Sequence, residues 1–146
     1  MNHSFFAKGF PKTTGPELFN TAYLEIALNA AAANGLSNED IMATLNRFSA
    51  VTIAEAVNRG LNGQTGFSIY TSGGGMHNPL LMEHIKELLT GHSFYTTDDL
   101  EINPDAKEAI LFAILANECV AGGDTQIGNG TKDIPFVSMG KISFPG

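Results

Sequence analysis

Apolar residues recur at helical spacing along most of the first sixty positions. The first helical pattern opens with Thr14 and Glu17 at capping-box spacing and then keeps apolar residues three or four positions apart. A second start signal at Ser37 predicts a helical segment that ends at Gly60, either as one helix or as two that divide after Ser49. The pattern therefore predicts helices before any strand.

Two short segments rich in aromatic and β-branched residues then alternate with helical patterns. Residues 66–72 (GFSIYTS) predict a strand buried on both faces, and residues 92–97 (HSFYTT) predict a second strand. Helical spacing resumes at Asn78 or Pro79, and again at Pro104, where apolar residues nearly encircle the helix and predict burial. Strands that alternate with helices predict an α/β fold with parallel pairing.

Length and composition fit a single domain over residues 1–146, with 43% hydrophobic residues. Residues 1–13 carry no clear start signal and are predicted to be an N-terminal extension. Residues 122–133, rich in Gly, Asn and Asp, are predicted to be a flexible loop, and KISF (141–144) a short closing strand. Two or three strands are fewer than the about five or six of a typical sheet, so we expect further strands upstream.

Charge and composition exclude several classes of protein. The net charge is −7, and the eight Lys and Arg residues are scattered, which excludes the basic footprint of a nucleic-acid-binding protein. No apolar run reaches the about 18 residues of a membrane span, and the N-terminus does not resemble a signal peptide. The one cysteine, Cys119, cannot form an internal disulfide and is predicted to be a buried thiol, which fits the cytosol. Three of the four histidines, His3, His84 and His92, are too dispersed for a metal site.

The strongest candidate for a ligand site is YTSGGGMHNP (70–79), between the first strand and the next helix. Without Cβ atoms, a ligand can approach the backbone, beside the free N–H groups of a helix N-terminus. Ligands in open α/β sheets bind outside the carboxyl ends of strands. A flexible turn is the alternative. His77 can contact a ligand or a neighbouring side chain, and Asn78 can cap the helix, contact a ligand or do both. The three candidate glycines are Gly73, Gly74 and Gly75.

Three further polar residues are candidates. Thr97 and Asp98 follow the second strand and can face the same cleft, or they can form a solvated acidic turn. Glu108 follows Lys107 on an otherwise apolar helix and can contact a ligand, or it can lie on an exposed edge.

Four segments, in chain order, resemble the C-terminal part of the anhydro-N-acetylmuramic acid kinase family. They are PKTTGPELFN (11–20), SGGGMHNPLLMEHIKELL (72–89), TTDDLEINPDAKEA (96–109) and VSMGKISFP (137–145). Any one of them alone is a weak signal, and the combination in this order is specific.

The resemblance implies a helix-rich fragment of a ribonuclease-H-like lobe, in the class of actin, hexokinase and Hsp70. It implies binding of ATP and Mg²⁺ and, in the whole family protein, hydrolysis of the 1,6-anhydro ring with phosphorylation to N-acetylmuramic acid 6-phosphate during cell-wall recycling. By resemblance, the three glycines bind the adenosine, with His77 and Asn78 beside it. Glu108 matches a family glutamate on the substrate side of the cleft.

Two family motifs do not occur in these 146 residues: the Gly-Thr-Ser-x-Asp-Gly phosphate loop and the Asp-Thr-Gly-Pro-Gly-Asn segment with the catalytic aspartate. Pro16 also replaces the usual Arg, and Met76 replaces a smaller residue. The resemblance therefore implies the C-terminal part of the second lobe of a bacterial cytoplasmic kinase. We expect no catalytic residue in this chain, no turnover by it alone, and binding of the anhydro sugar only with the missing lobe.

Two further expectations concern partners. An open sheet edge and apolar helix faces predict self-association of the chain. The alternative function is a non-catalytic protein-interaction domain that keeps the kinase-lobe fold.

Overall fold

The computed structural model describes residues 3–31 and 35–121. The chain forms two compact units, Met1–Thr44 and Leu45–Gly146. The described α-helices are α1 (Ser4–Ala7), α2 (Thr21–Ala30), α3 (Asn38–Gly60), α4 (Pro79–Leu88) and α5 (Lys107–Ala121). The described strands are β1 (Ser68–Thr71) and β2 (Ser93–Thr96), and 3-10 helices cover Gly74–His77 and Thr97–Leu100. None of the described helices is long and apolar enough to cross a membrane.

Aromatic side chains hold together the first unit. Phe19 lies edge-on to Phe5 and Tyr23, at centroid distances of 5.8 and 5.1 Å. The Lys12 ammonium donates to the carbonyl oxygens of Phe5 and Phe6 and lies 4.8 Å from the centre of the Phe5 ring. The described part of the predicted N-terminal extension therefore contains α1 and packs within this unit.

The predicted start of the first helix is wrong. α2 begins at Thr21, and the Oδ1 atom of Asn20 caps it by accepting a hydrogen bond from the Tyr23 N–H at 3.0 Å. The Glu17 carboxylate instead accepts from the Gly15 N–H at 2.7 Å and from the Thr14 hydroxyl at 3.3 Å. Because Thr14 donates to Glu17, its spacing forms a turn rather than a capping box.

The second predicted helix is confirmed, and it does not divide. The Ser37 hydroxyl accepts a hydrogen bond from the Asp40 N–H at 3.1 Å, and α3 then continues without a break to Gly60. The Ser49 hydroxyl donates to the Leu45 carbonyl at 2.9 Å. Since this bond satisfies the hydroxyl inside the helix, Ser49 does not interrupt it.

The two strands pair in parallel, which confirms the α/β prediction. Their register aligns Ile69 with Phe94 and Tyr70 with Tyr95. The prediction of a strand buried on both faces is wrong, because exposed and half-buried residues alternate along β1. One face carries the exposed rings of Tyr70 and Tyr95, stacked at 5.4 Å, and only the other face packs on the core.

The core of the second unit lies between α3, α4 and the packed face of the sheet. Its buried residues are Ala50 and Ala54 of α3, with Ile85 of α4 and Leu89 just after that helix. The small alanines let the larger side chains approach the α3 backbone closely. Full burial of a residue such as Ile85 stabilises the fold by about 1.5–3 kcal/mol. This core therefore fixes where the strands and α4 lie.

The prediction that α5 is buried is wrong for the described residues. α5 has no buried residue, and Phe112 and Val120 are 66% and 77% exposed. An apolar pattern around a whole helix requires neighbours on every side, and the described part of the chain supplies too few of them. Cys119 is half-buried rather than buried. The predicted loop at 122–133 and the predicted strand KISF lie outside the described residues.

Candidate functional site

The glycine loop joins the carboxyl end of β1 to the N-terminus of α4. β1 ends at Thr71, a 3-10 helix covers Gly74–His77, and α4 begins at Pro79. Here "glycine loop" means residues 72–78. The strand, loop and helix therefore follow one another as predicted, and the loop lies at the sheet edge where α/β proteins bind ligands.

The three glycines of this loop differ in why they are glycine. Gly73 has φ 83° and ψ 174°, a conformation essentially restricted to glycine. A Cβ atom on Gly74 would meet nothing within 4 Å, and one on Gly75 would make an ordinary 3.7 Å contact with Leu81. The backbone requires glycine at Gly73, whereas the packing of the described residues does not require it at Gly74 or Gly75.

Asn78 ends the loop and caps α4. Its Oδ1 atom accepts a hydrogen bond from the Leu81 N–H at 3.1 Å, and its own N–H donates to the Gly75 carbonyl at 3.2 Å. Pro79 occupies the first turn, where its missing N–H leaves no donor unsatisfied. The capping role predicted for Asn78 is confirmed, and its ligand contact stays a prediction.

The second connection, after β2, contains Thr97 and Asp98. The two strands are parallel, so these residues follow β2 at the same edge of the sheet as the glycine loop. Asp98 is exposed, and its carbonyl accepts from the Glu101 N–H at 2.9 Å. The Thr97 Oγ1 atom is buried and has no hydrogen-bond partner among the described residues. Among the described residues, no hydrogen bond or ion pair joins these two residues to the glycine loop, so their role in a cleft stays a prediction.

Three contacts tie the glycine loop to the segment that begins α5, and we call them the clasp. The Gly73 N–H donates to the Pro104 carbonyl at 3.1 Å. The other two contacts join side chains: His77 Nε2 to Asp105 Oδ1 at 2.8 Å, and Lys107 Nζ to Ser72 Oγ at 2.7 Å. The clasp thus joins the glycine loop to this segment through contacts at the surface, where the His77 and Asp105 side chains are 57% and 63% exposed.

Sequence reasoning did not assign Ser72, Asp105 or Lys107 to the site. The available signal was Asn103, whose Oδ1 atom accepts from the N–H groups of Asp105 and Ala106 at 2.9 and 3.2 Å. An Asn-Pro-Asp sequence favours such a turn, which presents the Asp105 side chain outward. Nothing in the sequence indicates that His77 receives it, because the two residues are 28 positions apart.

Glu108 lies in the first turn of α5, directly after the clasp residue Lys107. Its side chain is exposed, as in the alternative of an exposed edge. A carboxylate in a first helical turn interacts favourably with the helix dipole, so the structure gives Glu108 a local role. Its contact with a sugar stays a prediction.

The described residues also limit what the site could hold. Within residues 3–31 and 35–121, no group of three His, Cys, Asp or Glu side chains is arranged to hold a metal ion. A Cβ atom on Gly74, in contrast, would meet nothing within 4 Å, so no described side chain covers the loop backbone at that position.

A parallel strand pair whose first strand leads through glycines to a capped helix defines an α/β protein with a glycine loop at the carboxyl edge of its sheet. Comparison with known proteins identifies the family. The family model for anhydro-N-acetylmuramic acid kinase matches residues 1–145. The chain therefore belongs to this family.

Individual relatives agree with the family model. The anhydro-N-acetylmuramic acid kinase of Pseudoalteromonas atlantica is 55% identical over 146 residues, which cover 99% of this chain and 36% of that protein. That of Pseudoalteromonas translucida is 51% identical, over 98% of this chain and 36% of the relative, and that of Salinibacter ruber is 34% identical, over 100% and 37%. The chain thus spans little more than a third of the length of these relatives.

Proposed function

We propose that this chain is part of an ATP-dependent anhydro-N-acetylmuramic acid kinase and supplies the adenosine side of its ATP site. The reaction of the whole protein would open the 1,6-anhydro ring and phosphorylate the sugar to N-acetylmuramic acid 6-phosphate, in the bacterial cytoplasm. Membership of a kinase family supports the use of ATP, and the glycine loop is the part of this chain that suits a nucleotide.

The observation that carries this proposal is the open backbone at Gly74. No described residue fills the space that its Cβ would occupy, and Asn78 already caps the helix that follows. The missing side chain therefore serves no packing need within the described residues, whereas a flat ring against the backbone would require its absence. His77 and Asn78 would flank such a ring.

ATP would bring Mg²⁺, which neutralises developing charge on the transferred phosphoryl group. The described residues contribute no set of metal-holding side chains, so we assign no metal ligand to them. We likewise assign no catalytic base to this chain. Its proposed task is to hold and orient the nucleoside, with Thr97 and Asp98 at the cleft and Glu108 toward the sugar.

We further propose that the chain corresponds to the C-terminal part of the whole kinase, in its second lobe. The support is the order of the four family segments, which run through the chain from residue 11 to residue 145. The competing placement is the N-terminal part, since the share of each relative's length suits either end. In both placements the isolated chain lacks most of the protein, and we expect it to be inactive by itself.

Nucleotide binding tests the role of the loop. Titration calorimetry of the chain with ADP and Mg²⁺ should give binding heat that Gly74→Val abolishes, because the valine side chain would occupy the nucleoside's place. Gly9→Val is a matched control, since a Cβ there also meets nothing within 4 Å and Gly9, like Gly74, lacks a left-handed φ. Unchanged affinity in Gly74→Val would overturn the assignment of the loop.

Complementation tests the placement. The chain should restore sugar phosphorylation when it is mixed with the N-terminal part of the Pseudoalteromonas atlantica kinase, up to the matched region. If only the C-terminal remainder of that kinase restored activity, the chain would be the N-terminal part. The Gly74→Val chain should fail in the productive mixture, which would show that the loop is used.

The exposed apolar residues of α5 favour the alternative function, a protein-interaction domain. Phe112 is 66% exposed and Val120 77% exposed, and each strand of the described sheet has a free edge. The same features predict self-association. Light scattering should show oligomers that Phe112→Asp reduces. An interaction domain without nucleotide affinity would give no heat with ADP, which separates the two functions.

A further inference from the structure

We propose that Asp105 and Lys107 are positioning residues, which hold the glycine loop in the conformation that receives the nucleotide. This inference rests on the proposed function of the loop. It adds two side chains that lie outside the loop and that neither the family motifs nor the sequence analysis placed in the site.

The first argument is the geometry of the clasp. Three residues of the loop take part in the clasp. Ser72 and His77 use their side chains, and Gly73 uses its backbone N–H. All three partners lie within four positions, from Pro104 to Lys107. One short segment therefore holds both ends of the loop.

The second argument is the chemistry of the His77 contact. An ionised carboxylate only accepts hydrogen bonds, so Asp105 requires that Nε2 of a neutral His77 carry the proton. The hydrogen bond to Asp105 therefore sets which ring nitrogen of His77 carries the proton and how the ring is oriented. Because His77 is the last residue of the 3-10 helix that contains Gly74 and Gly75, holding its ring also holds the end of that turn.

The third argument is that the loop needs such a hold. Gly73 and Gly74 lack side chains that could anchor them, and Gly73 has no side-chain cap. Glycine loses more conformational freedom on ordering than any other residue. A ligand that had to order this loop on binding would lose affinity, and a loop ordered in advance by the clasp avoids that loss.

The clasp also lies next to Glu108, the residue proposed to face the sugar. Lys107 donates to Ser72 and directly precedes Glu108. A loop bound to the first turn of α5 places the nucleoside and Glu108 in a fixed relation. In this proposal Asp105 and Lys107 act through His77 and Ser72, the loop side chains that they contact.

The test uses the whole chain, with ADP and Mg²⁺ as the probe, and four variants. Asp105→Ala removes the acceptor, Asp105→Asn keeps an acceptor oxygen, Lys107→Met removes the donor at similar length, and Glu83→Gln changes an exposed carboxylate on α4 as the control. Asp105→Ala and Lys107→Met should each weaken ADP binding by about 2- to 10-fold, as expected for the loss of one hydrogen bond. Asp105→Asn should restore part of the loss, and Glu83→Gln should leave affinity unchanged.

A spectroscopic readout separates positioning from general destabilisation. Nitrogen NMR of the imidazole in the free chain should show one tautomer of His77, protonated at Nε2. Asp105→Ala should give a mixture of both tautomers and faster hydrogen exchange at the Gly73–His77 amides, while the amides of β2 remain unchanged. Asp105→Asn should keep the loop amides closer to wild type.

The outcomes distinguish this proposal from the function on which it rests. If wild-type chain binds no ADP, the nucleotide site is wrong, and the NMR of the free chain still decides whether the clasp orders the loop. If wild-type chain binds ADP and Asp105→Ala and Lys107→Met bind it equally well, the positioning role is overturned while the site stands. An unchanged His77 spectrum in Asp105→Ala would also overturn it.

Discussion

The two connections that leave the sheet begin alike and are built differently. Each follows a four-residue parallel strand and leads into a four-residue 3-10 helix. After β1, two residues precede the 3-10 helix Gly74–His77, and after β2 the 3-10 helix Thr97–Leu100 follows directly. After β2, the Asp99 carboxylate accepts hydrogen bonds from the N–H and the hydroxyl of Thr96, at 2.8 and 3.3 Å. After β1, no side chain caps the corresponding turn at Gly73.

The two turns differ in whether a side chain of the turn itself covers the backbone. The second turn satisfies part of its own backbone with the Asp99 carboxylate, while the Thr97 Oγ1 atom in it is buried without a partner among the described residues. The first turn leaves its backbone open over Gly74 and is supported by the clasp, whose partners lie just before α5 and at its first residue. The two turns therefore differ in how they are supported: a carboxylate of its own closes the second turn, whereas the first depends on contacts with residues about 30 positions away.

The largest effect should come from Gly73. Gly73→Ala puts a Cβ in a conformation that costs about 1–3 kcal/mol for other residues. Gly74→Ala should lie near zero or be slightly stabilising, because its φ is not left-handed and the space is open. Urea unfolding of both variants checks the contrast. Equal losses in the two would mean that the glycines are not distinct in the way the structure shows.

The second effect concerns the helix cap that ends the first connection. Asn78→Ala should destabilise α4 by about 1 kcal/mol, since the Leu81 N–H loses its acceptor. Asn78→Asp should retain most of the stability, because aspartate caps as well as asparagine. If both variants lost stability equally, the role of Asn78 would not be capping.

The third effect is in the connection after β2. Asp99→Ala leaves the Thr96 N–H without its acceptor and should cost about 0.5–1.5 kcal/mol. ADP affinity should fall less than in Asp105→Ala, because Asp99 lies outside the clasp and only the turn that carries Thr97 and Asp98 is loosened. An ADP affinity that falls as far as in Asp105→Ala would show that this turn supports the nucleotide as much as the clasp does.

The sequence predicts best where a local pattern is enough. The Ser37 start of α3, the Asn78 or Pro79 start of α4 and the parallel strands follow from capping, composition and alternation of elements, and all are confirmed. The glycine loop was found for the same reason, since a strand, three glycines and a helix start are adjacent in the chain. Its binding of a nucleotide remains a prediction.

The errors arise where a distant or competing contact decides. α2 begins at Thr21 because Asn20 caps it, while Thr14 and Glu17 form a separate turn before it. β1 packs on one face because Ile69 contacts the core and the Tyr70 ring, on the other face, does not. The apolar residues of α5 are exposed because the described part of the chain packs too few residues against that helix. The clasp joins residues about 30 positions apart, so no local pattern could predict it.

The smallest effect concerns a third turn, in the first unit, that repeats the closed pattern. The Glu17 carboxyl accepts hydrogen bonds from the backbone N–H groups of Glu17 itself and of Gly15, and these bonds lower its pKa. A hydrogen bond from the Thr14 hydroxyl lowers the pKa further. A lowered pKa in the folded state means that the unfolded chain binds the proton more readily. The contribution of Glu17 is therefore complete above the ordinary range of glutamate, about pH 4.3, and is lost as the pH falls through the lower pKa of the folded state.

Glu17→Gln removes this titration while keeping an acceptor oxygen for the Gly15 N–H. Urea midpoints measured from pH 3 to pH 6 should therefore fall less steeply in the variant than in wild type, with the two curves drawing together toward low pH. The effect should be slight because the carboxylate is exposed to solvent. Parallel curves across this range would show that the turn is closed without help from the charge.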